Sequence, residues 1–307
     1  MTTHKKNTLI TIVGPTAIGK TSLSIKLANY FKSDIISCDS RQFYKEMTIG
    51  TAVPEPEELA AATHHFIQDR SIFDDYNVGE FERDALKKLD DLFLTNSTQI
   101  MVGGSGLYVD AVLKGLDYFP DVDRQIRIDL TKELHEKGIQ SLQEKLKVLD
   151  LETYNTIAID NPHRIMRALE ICIGTNIPYA TFKNKPKAPR NFKSIKVGLT
   201  ADREIIYNRI NQRVDLMIEN GLLDEAKLLH QHKNLNALQT VGYRELFSFF
   251  DGDFTKELAI SEIKKNTRRF AKRQMTWFKK DTQTLWFDYK TDINHIISTI
   301  SNKINAF

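Results

Sequence analysis

An eight-residue segment near the amino terminus constrains the fold of this chain more than any other. Residues 14–21 read GPTAIGKT, which fits the pattern G-x-x-x-x-G-K-[ST]. They follow a short apolar, β-branched run at 9–13 and precede a run at 22–31 with helical spacing. Such a loop turns its backbone N–H groups onto phosphate oxygens, and the following helix N-terminus adds a favourable dipole. The segment therefore predicts a phosphate-binding loop in an α/β fold.

The residue types in this loop predict how it would bind. Lys20 would neutralise the terminal phosphates, and the Thr21 hydroxyl would hold Mg²⁺. Taken alone, the loop is typical of ATP-binding and other nucleotide-binding proteins. The predicted phosphate-binding set is Gly14, Pro15, Thr16, Ala17, Ile18, Gly19, Lys20 and Thr21.

The chain first continues this strand–helix pattern and then interrupts it. We predict strands at 34–39 and 99–102, with an amphipathic helix at 80–94 between them. From about 123 to 174 the spacing is helical throughout, and a basic, proline-containing linker follows at 183–190.

Strand and helix patterns return after the linker. A strand is predicted at 195–199, and a helix runs from a cap at Asp202 to Gly221. A long helix at about 255–280 and a last strand at 285–287 follow.

These patterns define the expected fold class, which is α/β. It has a P-loop NTPase-like parallel sheet core and a mostly helical insertion domain. The core would comprise residues 1–115 and 191–307, and the insertion residues 116–190. A chain of 307 residues with 41% hydrophobic side chains can bury both parts.

Cysteine usage and hydropathy narrow the class of protein. The two cysteines, Cys38 and Cys172, lie outside any CxxC pair, so we expect neither a zinc knuckle nor a disulfide. No apolar run approaches the length of a membrane span, and the polar start does not fit a signal peptide. We expect a cytoplasmic protein without membrane contact.

Positive charge is concentrated rather than general. The net charge is only +3, but residues 256–280 hold nine basic and two acidic side chains. Ile260, Ile263, Phe270 and Trp277 fall on another face of the same predicted helix, where we expect them to dock. A cationic stripe of this kind favours binding to a nucleic-acid backbone, with a solvated charged face as the alternative.

Four other side chains are candidates for a site, each with a structural alternative. Asp39 ends the second strand and could be a general base, a metal ligand or a plain helix cap. The turn 103–106 contains three glycines, which permit close approach of the backbone to a ligand, and Ser105 would point its hydroxyl at the site. The alternative is a simple strand-to-helix turn with Ser105 as a cap. Arg209 and Arg213 share one helix face and suit phosphate clamping, although spacing alone favours surface ion pairs.

Seven ordered motifs together resemble the bacterial tRNA dimethylallyltransferases (tRNA isopentenyltransferases). The resemblance covers about residues 9–287. Family members have a P-loop core with a helical insertion, and the eukaryotic branch adds a zinc finger that this sequence lacks. The motifs are residues 14–21, 39–44, 49–52, 102–108, 161–170, 241–244 and 272–277.

The resemblance implies a specific reaction. The loop would hold the diphosphate of dimethylallyl diphosphate with Mg²⁺, and the dimethylallyl group would pass to N6 of the adenosine 3′-adjacent to the anticodon. Asp39 would be the base, and Lys20, Thr21 and Arg213 would stabilise the leaving diphosphate. Ser105, where many relatives carry Thr, would contact substrate.

The resemblance also implies a tRNA-binding set. Single-stranded RNA is read by stacking and by hydrogen bonds to base edges, so Phe43, Tyr44 and Tyr243 are candidates for stacking, with a place in the core as the more usual alternative for each. A monomer that binds the tRNA anticodon stem-loop is expected. The predicted contacts are Asp39, Ser40, Arg41, Gln42, Ser105, Arg127, His163, Arg164, Ile165, Met166, Arg167, Thr240, Val241, Gly242, Tyr243 and Arg244.

Two other functions remain open at this point. A P-loop kinase of small molecules or nucleosides shares the fold, but no motif here supplies an adenine pocket. A non-catalytic RNA-binding module is favoured only by the basic helix, and it would not need the phosphate loop.

Overall fold

The core of the structure, a computed structural model that describes residues 6–306, is a parallel sheet. Its strands lie in the order β3–β2–β4–β1–β5–β6, and every neighbouring pair is parallel. The predicted α/β class is therefore confirmed. The strands are β1 (Thr8–Val13), β2 (Ile35–Ser37), β3 (His64–His65), β4 (Thr98–Val102), β5 (Lys193–Thr200) and β6 (Leu285–Asp288).

Apolar side chains on both faces explain why the central strand is buried. Successive side chains of β1 point to opposite faces. Ile10 and Ile12 pack into one hydrophobic cluster, and Leu9 and Val13 pack into another on the opposite face. A strand covered on both sides reads as a continuous apolar run, which is the pattern typical of parallel sheets.

Helices account for most of the remaining chain. Within the described residues they are α1 (Lys20–Phe31), α2 (Pro56–Ala61), α3 (Val78–Phe93), α4 (Gly106–Lys114), α5 (Arg124–Lys137), α6 (Ile139–Leu149), α7 (Leu151–Thr156), α8 (Pro162–Thr175), α9 (Arg203–Glu219), α10 (Leu222–Leu229), α11 (Tyr243–Phe250), α12 (Lys256–Phe278) and α13 (Ile293–Asn305).

The chain divides into two compact units. One contains the sheet and comprises the residues up to Lys114 and from Arg190 onward, and the other is Gly115–Pro189. The second unit consists of α5–α8 around its own apolar cluster, which includes Leu142, Leu146 and Ile165. The helical interpretation of 123–174 is confirmed for this unit.

Several short elements were not predicted. They are α2, β3, α10, α11 and α13. The two-residue strand β3 is too short for an alternating pattern to reveal it. Asp202 stands at the N-cap of α9, as predicted, although its side chain makes no cap hydrogen bond.

The pattern identified most of the face through which the long helix α12 docks. Ile260 and Ile263 pack in one apolar cluster, and the Trp277 ring packs against Gly106 although it is 38% exposed. Phe270 is 37% exposed, and Ala271 and Gln274 are buried without having been predicted. Helical periodicity of large apolar residues missed this, because a small and a polar residue face the interior.

Loops that follow parallel strands gather at the carboxyl edge of the sheet. The loop after β1, the segment after β2 and the turn after β4 all lie at that edge, because the three strands are parallel and β4 pairs with both others. Ligands of open α/β sheets bind at this edge.

Candidate active site

The phosphate loop owes its shape to residues in the left-handed region of backbone space. Gly14 has φ 144°, Ala17 φ 63° and Gly19 φ 107°. A Cβ on Gly14 would also lie 2.7 Å from the Leu199 carbonyl oxygen, so the loop packs directly on β5. A glycine meets both demands at no steric cost, which is the physical reason for its place in the motif.

Lys20 is held inside the loop that it serves. Its Nζ donates to the Pro15 carbonyl oxygen at 2.8 Å. Burial lowers the pKa of Lys20 to about 8, against an opposing pull from the nearby Asp39 carboxylate. A buried ammonium that lacks a full counter-charge attracts an anion, so this position suits a diphosphate.

Two arginines of α9 bind the same loop. Arg209 Nε donates to the Ala17 carbonyl oxygen at 2.7 Å, and an Arg213 guanidinium N–H donates to Thr16 Oγ1 at 3.3 Å. Burial lowers the pKa of Arg213. The surface ion pairs favoured by spacing are therefore wrong, and the clamping alternative agrees with the geometry.

Asp39 lies in a turn, not at the start of a helix. Its Oδ1 accepts from the Arg41 N–H at 3.2 Å, and residues 40–43 form turns. The helix-cap alternative is therefore wrong. Among residues 6–306, no hydrogen bond is made to Oδ2, so that oxygen is available to a substrate or a metal.

Ser105 ties the turn after β4 to the segment after β2. The Ser40 N–H donates to Ser105 Oγ at 3.2 Å, and the two serine hydroxyls lie 3.1 Å apart. The Ser105 carbonyl oxygen accepts from Tyr108 and Val109 at the start of α4. Its hydroxyl thus orients the residues beside Asp39.

The glycines of the same turn admit protein neighbours. A Cβ on Gly103 would lie 2.6 Å from Cys38 Sγ, one on Gly104 would lie 2.1 Å from Gln274 Nε2, and one on Gly106 would meet the Trp277 ring at 2.4 Å. None of the three has a positive φ. Packing therefore occupies the space where each side chain would begin, while Gly103 also lines a cavity beside the phosphate loop. Close approach of this backbone to a ligand stays a prediction.

Two cavities meet at the carboxyl edge of the sheet. The loop cavity, about 870 Å³, is lined by residues 16–22, by 48–56 except Gly50, and by one face of α9. The arginine cavity, about 340 Å³, is lined by polar side chains and by apolar ones that include Val214, Leu222, Ile263 and Phe270. Its polar lining includes Ser40, Arg41, Ser105, Gln239, Thr240, Arg244 and Arg273. The wall common to both is Thr16, Asp39, Thr51, Ala52, Arg213 and Met217.

Arg41 and Gln42, which follow β2, each line one of the two cavities, but their side chains are hydrogen-bonded to backbone groups of the protein. Arg41 donates to the backbone carbonyl oxygens of Asn236 and Ala237 at 2.8 and 2.9 Å. Gln42 Nε2 donates to the Ala52 carbonyl oxygen at 2.8 Å. Both side chains therefore hold backbone segments that surround the cavities.

The predicted stacking residues are buried. Phe43 is 1% exposed, Tyr44 4% and Tyr243 0%. The Tyr243 hydroxyl donates to Glu225 Oε1 at 2.6 Å, and its ring fills the space beside Gly50. The stacking interpretation is wrong for all three, because no ring face is open to a base. Thr240, Val241, Gly242 and Arg244 line the arginine cavity.

Within Gly115–Pro189, some of the predicted tRNA-contacting side chains are buried and others are exposed. Ile165 and Met166 are buried in the apolar cluster of this unit, whereas His163 and Arg164 are exposed. Arg127 and Arg167 both pair with the buried carboxylate of Glu170, at 2.6 and 3.3 Å. The Ile165 and Met166 side chains are therefore wrong choices for RNA contacts.

Three residues of the site escaped prediction. Gln274 bonds to the phosphate loop, Phe270 offers an exposed ring in the arginine cavity, and Glu225 accepts from the N–H groups of residues 48–50. The available signal for Gln274 was its place within the motif 272–277. No local pattern identifies Glu225.

The oxygen ligands at the loop suit Mg²⁺. Thr21, Ser37 and Asp39 line one cavity and offer hydroxyl and carboxylate oxygens, which a hard cation prefers. Within residues 6–306, no three His, Cys, Asp or Glu side chains gather to hold a metal by themselves. This donor set fits an ion that takes its other ligands from diphosphate and water.

No helix among the described residues is long and apolar enough to cross a membrane. The longest of them, α12, is amphipathic and basic.

Comparison with known proteins gives consistent matches. A family model described as IPP transferase matches residues 42–281. The chain is 62% identical to the tRNA dimethylallyltransferase of Flavobacterium psychrophilum, with 97% of this chain and 99% of that protein covered. It is 42% identical to tRNA dimethylallyltransferase 1 of Phocaeicola vulgatus, with 96% and 99% covered.

Solved structures show the same fold. The full-length tRNA isopentenylpyrophosphate transferase of Bacillus halodurans matches with a TM-score of 0.74 at 35% identity, with 98% of each chain covered. A eukaryotic dimethylallyltransferase acting on tRNA matches with a TM-score of 0.79 at 25% identity, with 97% of this chain and 77% of that chain covered.

Proposed function

The chain belongs to the IPP transferase family, and from that premise we propose that it is a tRNA dimethylallyltransferase. It transfers a dimethylallyl group from dimethylallyl diphosphate to N6 of the adenosine 3′-adjacent to the anticodon in tRNA and releases diphosphate. The observation that carries the proposal is the wall between the two cavities. Asp39 and Arg213 both stand in that wall, so a candidate base and a cation border both cavities.

The loop cavity supports binding of the donor diphosphate. Backbone N–H groups at the start of α1, the Lys20 ammonium and the Arg213 guanidinium place positive charge on one side of it. These groups are in position before the reaction, so they stabilise the negative charge that develops on the leaving diphosphate. Mg²⁺, held by Thr21, would neutralise further charge on the diphosphate when bound.

The transfer step needs a base on the acceptor side. A bond forms between adenosine N6 and C1 of the dimethylallyl group, and the bond between C1 and the diphosphate oxygen breaks. The proton leaves N6 for Asp39 Oδ2, which is otherwise without a hydrogen bond among residues 6–306. Ser105 and Ser40 hold this segment in place, so the carboxylate is aimed before the amine arrives.

The arginine cavity suits a nucleotide of tRNA. An adenine inside the anticodon loop must leave its stack to reach a buried electrophile. Phe270 offers a ring face on this cavity, with Arg273 5.7 Å from the ring centroid and Arg244 beside it. Aromatic and arginine planes are the usual partners of extruded bases. His163 and Arg164 in the smaller unit are the exposed groups that we assign to the tRNA backbone.

The assembled site disfavours the two rival functions. A kinase would need a pocket that reads adenine beside the phosphate loop, whereas the neighbouring cavity lies across the Asp39 wall and opens among arginines. An RNA-binding module would not require the ordered cation set around the loop.

Because one chain supplies both cavities, we propose that the enzyme acts as a monomer, in the cytoplasm where its tRNA substrate is found.

The decisive experiment supplies both substrates. The protein is incubated with Mg²⁺, dimethylallyl diphosphate and an unmodified anticodon stem-loop with adenosine after the anticodon. The expected result is isopentenyl-adenosine in the nuclease digest and one diphosphate released per product. A stem-loop with guanosine at that position is the matched control and gives no product. Phosphate transfer from ATP without any prenylated nucleoside would overturn the proposal.

A further inference from the structure

Helix α12 carries an uncharged polar side chain into the interior beside the phosphate loop. Gln274 is 5% exposed, and both ends of its amide are bonded. The Thr16 N–H donates to Oε1 at 2.8 Å, and Nε2 donates to the Gly104 carbonyl oxygen at 3.0 Å. One side chain therefore joins three segments that are distant along the chain.

The two partners follow neighbouring strands. β1 and β4 pair in parallel register through Ile12 and Val102, and the Gly103 N–H still donates to the Ile12 carbonyl oxygen at 3.3 Å. Beyond that point one chain enters the phosphate loop and the other enters the glycine turn. The Gln274 amide lies in the gap, where it offers the same acceptor and donor that a peptide group would offer.

We propose that Gln274 is a positioning residue that continues the β1–β4 ladder past the ends of the strands and fixes the phosphate loop against the turn bearing Ser105. The inference rests on the proposed prenyl transfer and deepens it. The loop determines where C1 of the donor lies, and the turn, through Ser105 and Ser40, orients Asp39. Gln274 thus sets the distance between the electrophile and the base.

The chemistry of the position explains the residue type. A methionine has a similar length but no donor and only a weak acceptor, and an asparagine is one methylene too short to reach both partners. Gly104 is part of the same arrangement, because a Cβ there would lie 2.1 Å from Nε2. Gln274 and Gly104 therefore depend on each other.

A second buried glutamine, in strand β4 of the sheet, provides a matched control. Gln99 is 1% exposed; it accepts from the Asp34 N–H at 3.2 Å and donates to the carbonyl oxygens of Leu92 and Asn96. It too bridges backbone groups of separate segments, but at the amino end of β4. A role in stability alone would make the two glutamines equivalent.

The first test compares Gln274→Met with Gln99→Met. Both should lower the melting temperature. Gln274→Met should raise the KM for dimethylallyl diphosphate about tenfold and lower kcat, since one buried hydrogen bond to the loop is lost. Gln99→Met should leave both constants at wild-type values. Unchanged constants in Gln274→Met, or equal shifts in both variants, would overturn the proposal.

A double-mutant cycle with Gly104→Ala and Gln274→Ala tests the same contact. Gly104→Ala should displace the Gln274 amide and reproduce the change in KM. Gly104→Ala combined with Gln274→Ala should then be no worse than Gly104→Ala alone, because the two changes break one contact. Fully additive losses would contradict the assignment.

Binding of inorganic pyrophosphate separates this inference from the proposed function. Calorimetry on wild type, Gln274→Met and Gln99→Met needs no tRNA and no turnover. Weaker binding in Gln274→Met alone supports the positioning role even where wild type forms no prenylated product. If Gln274→Met binds pyrophosphate with wild-type affinity, the positioning role of Gln274 is contradicted, whichever reaction the enzyme catalyses.

Discussion

The two cavities that meet at Asp39 are built in different ways. The loop cavity takes its binding groups from one continuous segment, residues 14–21, together with two arginines of α9 that are already bonded to that segment. The arginine cavity is assembled from residues near 40, 105, 240 and 270, and it keeps a partly exposed ring. The difference indicates a rigid site for a small, invariant anion beside a more open site for part of a large substrate.

Asp39→Asn gives the largest expected effect, because it acts at the wall that both cavities share. Loss of the general base should lower kcat about a thousandfold. Oδ1 is kept, so the turn stays formed, and the affinity for the tRNA stem-loop should change little. Single-turnover rates and filter-binding affinities measure the two quantities. A kcat near the wild-type value would remove Asp39 as the base.

Arg213→Gln should separate the cavities most clearly. Removal of a preorganised cation from the diphosphate site should raise the KM for dimethylallyl diphosphate about a hundredfold, with the affinity for tRNA kept. Arg209→Gln is the matched control on the same helix face, and since Arg209 is exposed it should cost only a few-fold. Equal effects of the two variants would mean that helix packing, rather than charge at the wall, is responsible.

Phe270→Ala should affect the opposite cavity. Loss of a stacking partner should raise the KM for tRNA about tenfold while the KM for dimethylallyl diphosphate stays constant. Phe270→Trp should restore the affinity, because a larger ring still stacks. Phe73→Ala removes another exposed ring, outside both cavities, and serves as the control. An unchanged affinity for tRNA in Phe270→Ala would show that the adenine does not stack on Phe270.

The pH dependence should give the smallest effect and should belong to the loop cavity. Burial lowers the pKa of Lys20 to about 8, and only the ammonium form attracts diphosphate. As pH rises through that value the charge is lost, so kcat/KM for dimethylallyl diphosphate should fall, to about half its plateau at pH 8. Lys20→Arg should move the fall to higher pH. A flat profile from pH 7 to 9 would contradict the role of Lys20.

Most of the loop cavity could be predicted from the sequence. Its binding groups are adjacent along the chain, and the motif requires the strand before it and the helix after it, both of which are present. Asp39 was found in the same way, because carboxyl ends of parallel strands share one edge. Arg213 needed the resemblance to a family, since spacing on a helix cannot tell a clamp from a surface ion pair.

The arginine cavity was predicted less well, and the errors have a common cause. Tyr243 and Phe270 are both aromatic residues in motif-bearing or basic segments, yet the first is buried and the second is partly exposed. A sequence pattern specifies which side of a helix is apolar, but not which side chain the neighbouring elements leave uncovered. Exposure of a single ring depends on packing between α9, α11 and α12.

The phosphate loop, the parallel sheet and the helical insertion follow from the sequence by itself, because local backbone conformation and hydrophobic periodicity specify them. The contacts of Gln274, Glu225 and Arg41 depend on tertiary structure. Each of these side chains binds backbone groups more than 150 residues away, at 2.8–3.0 Å. Only the folded sheet brings such groups within hydrogen-bonding distance, so the spacing between base and leaving group is a property of the fold.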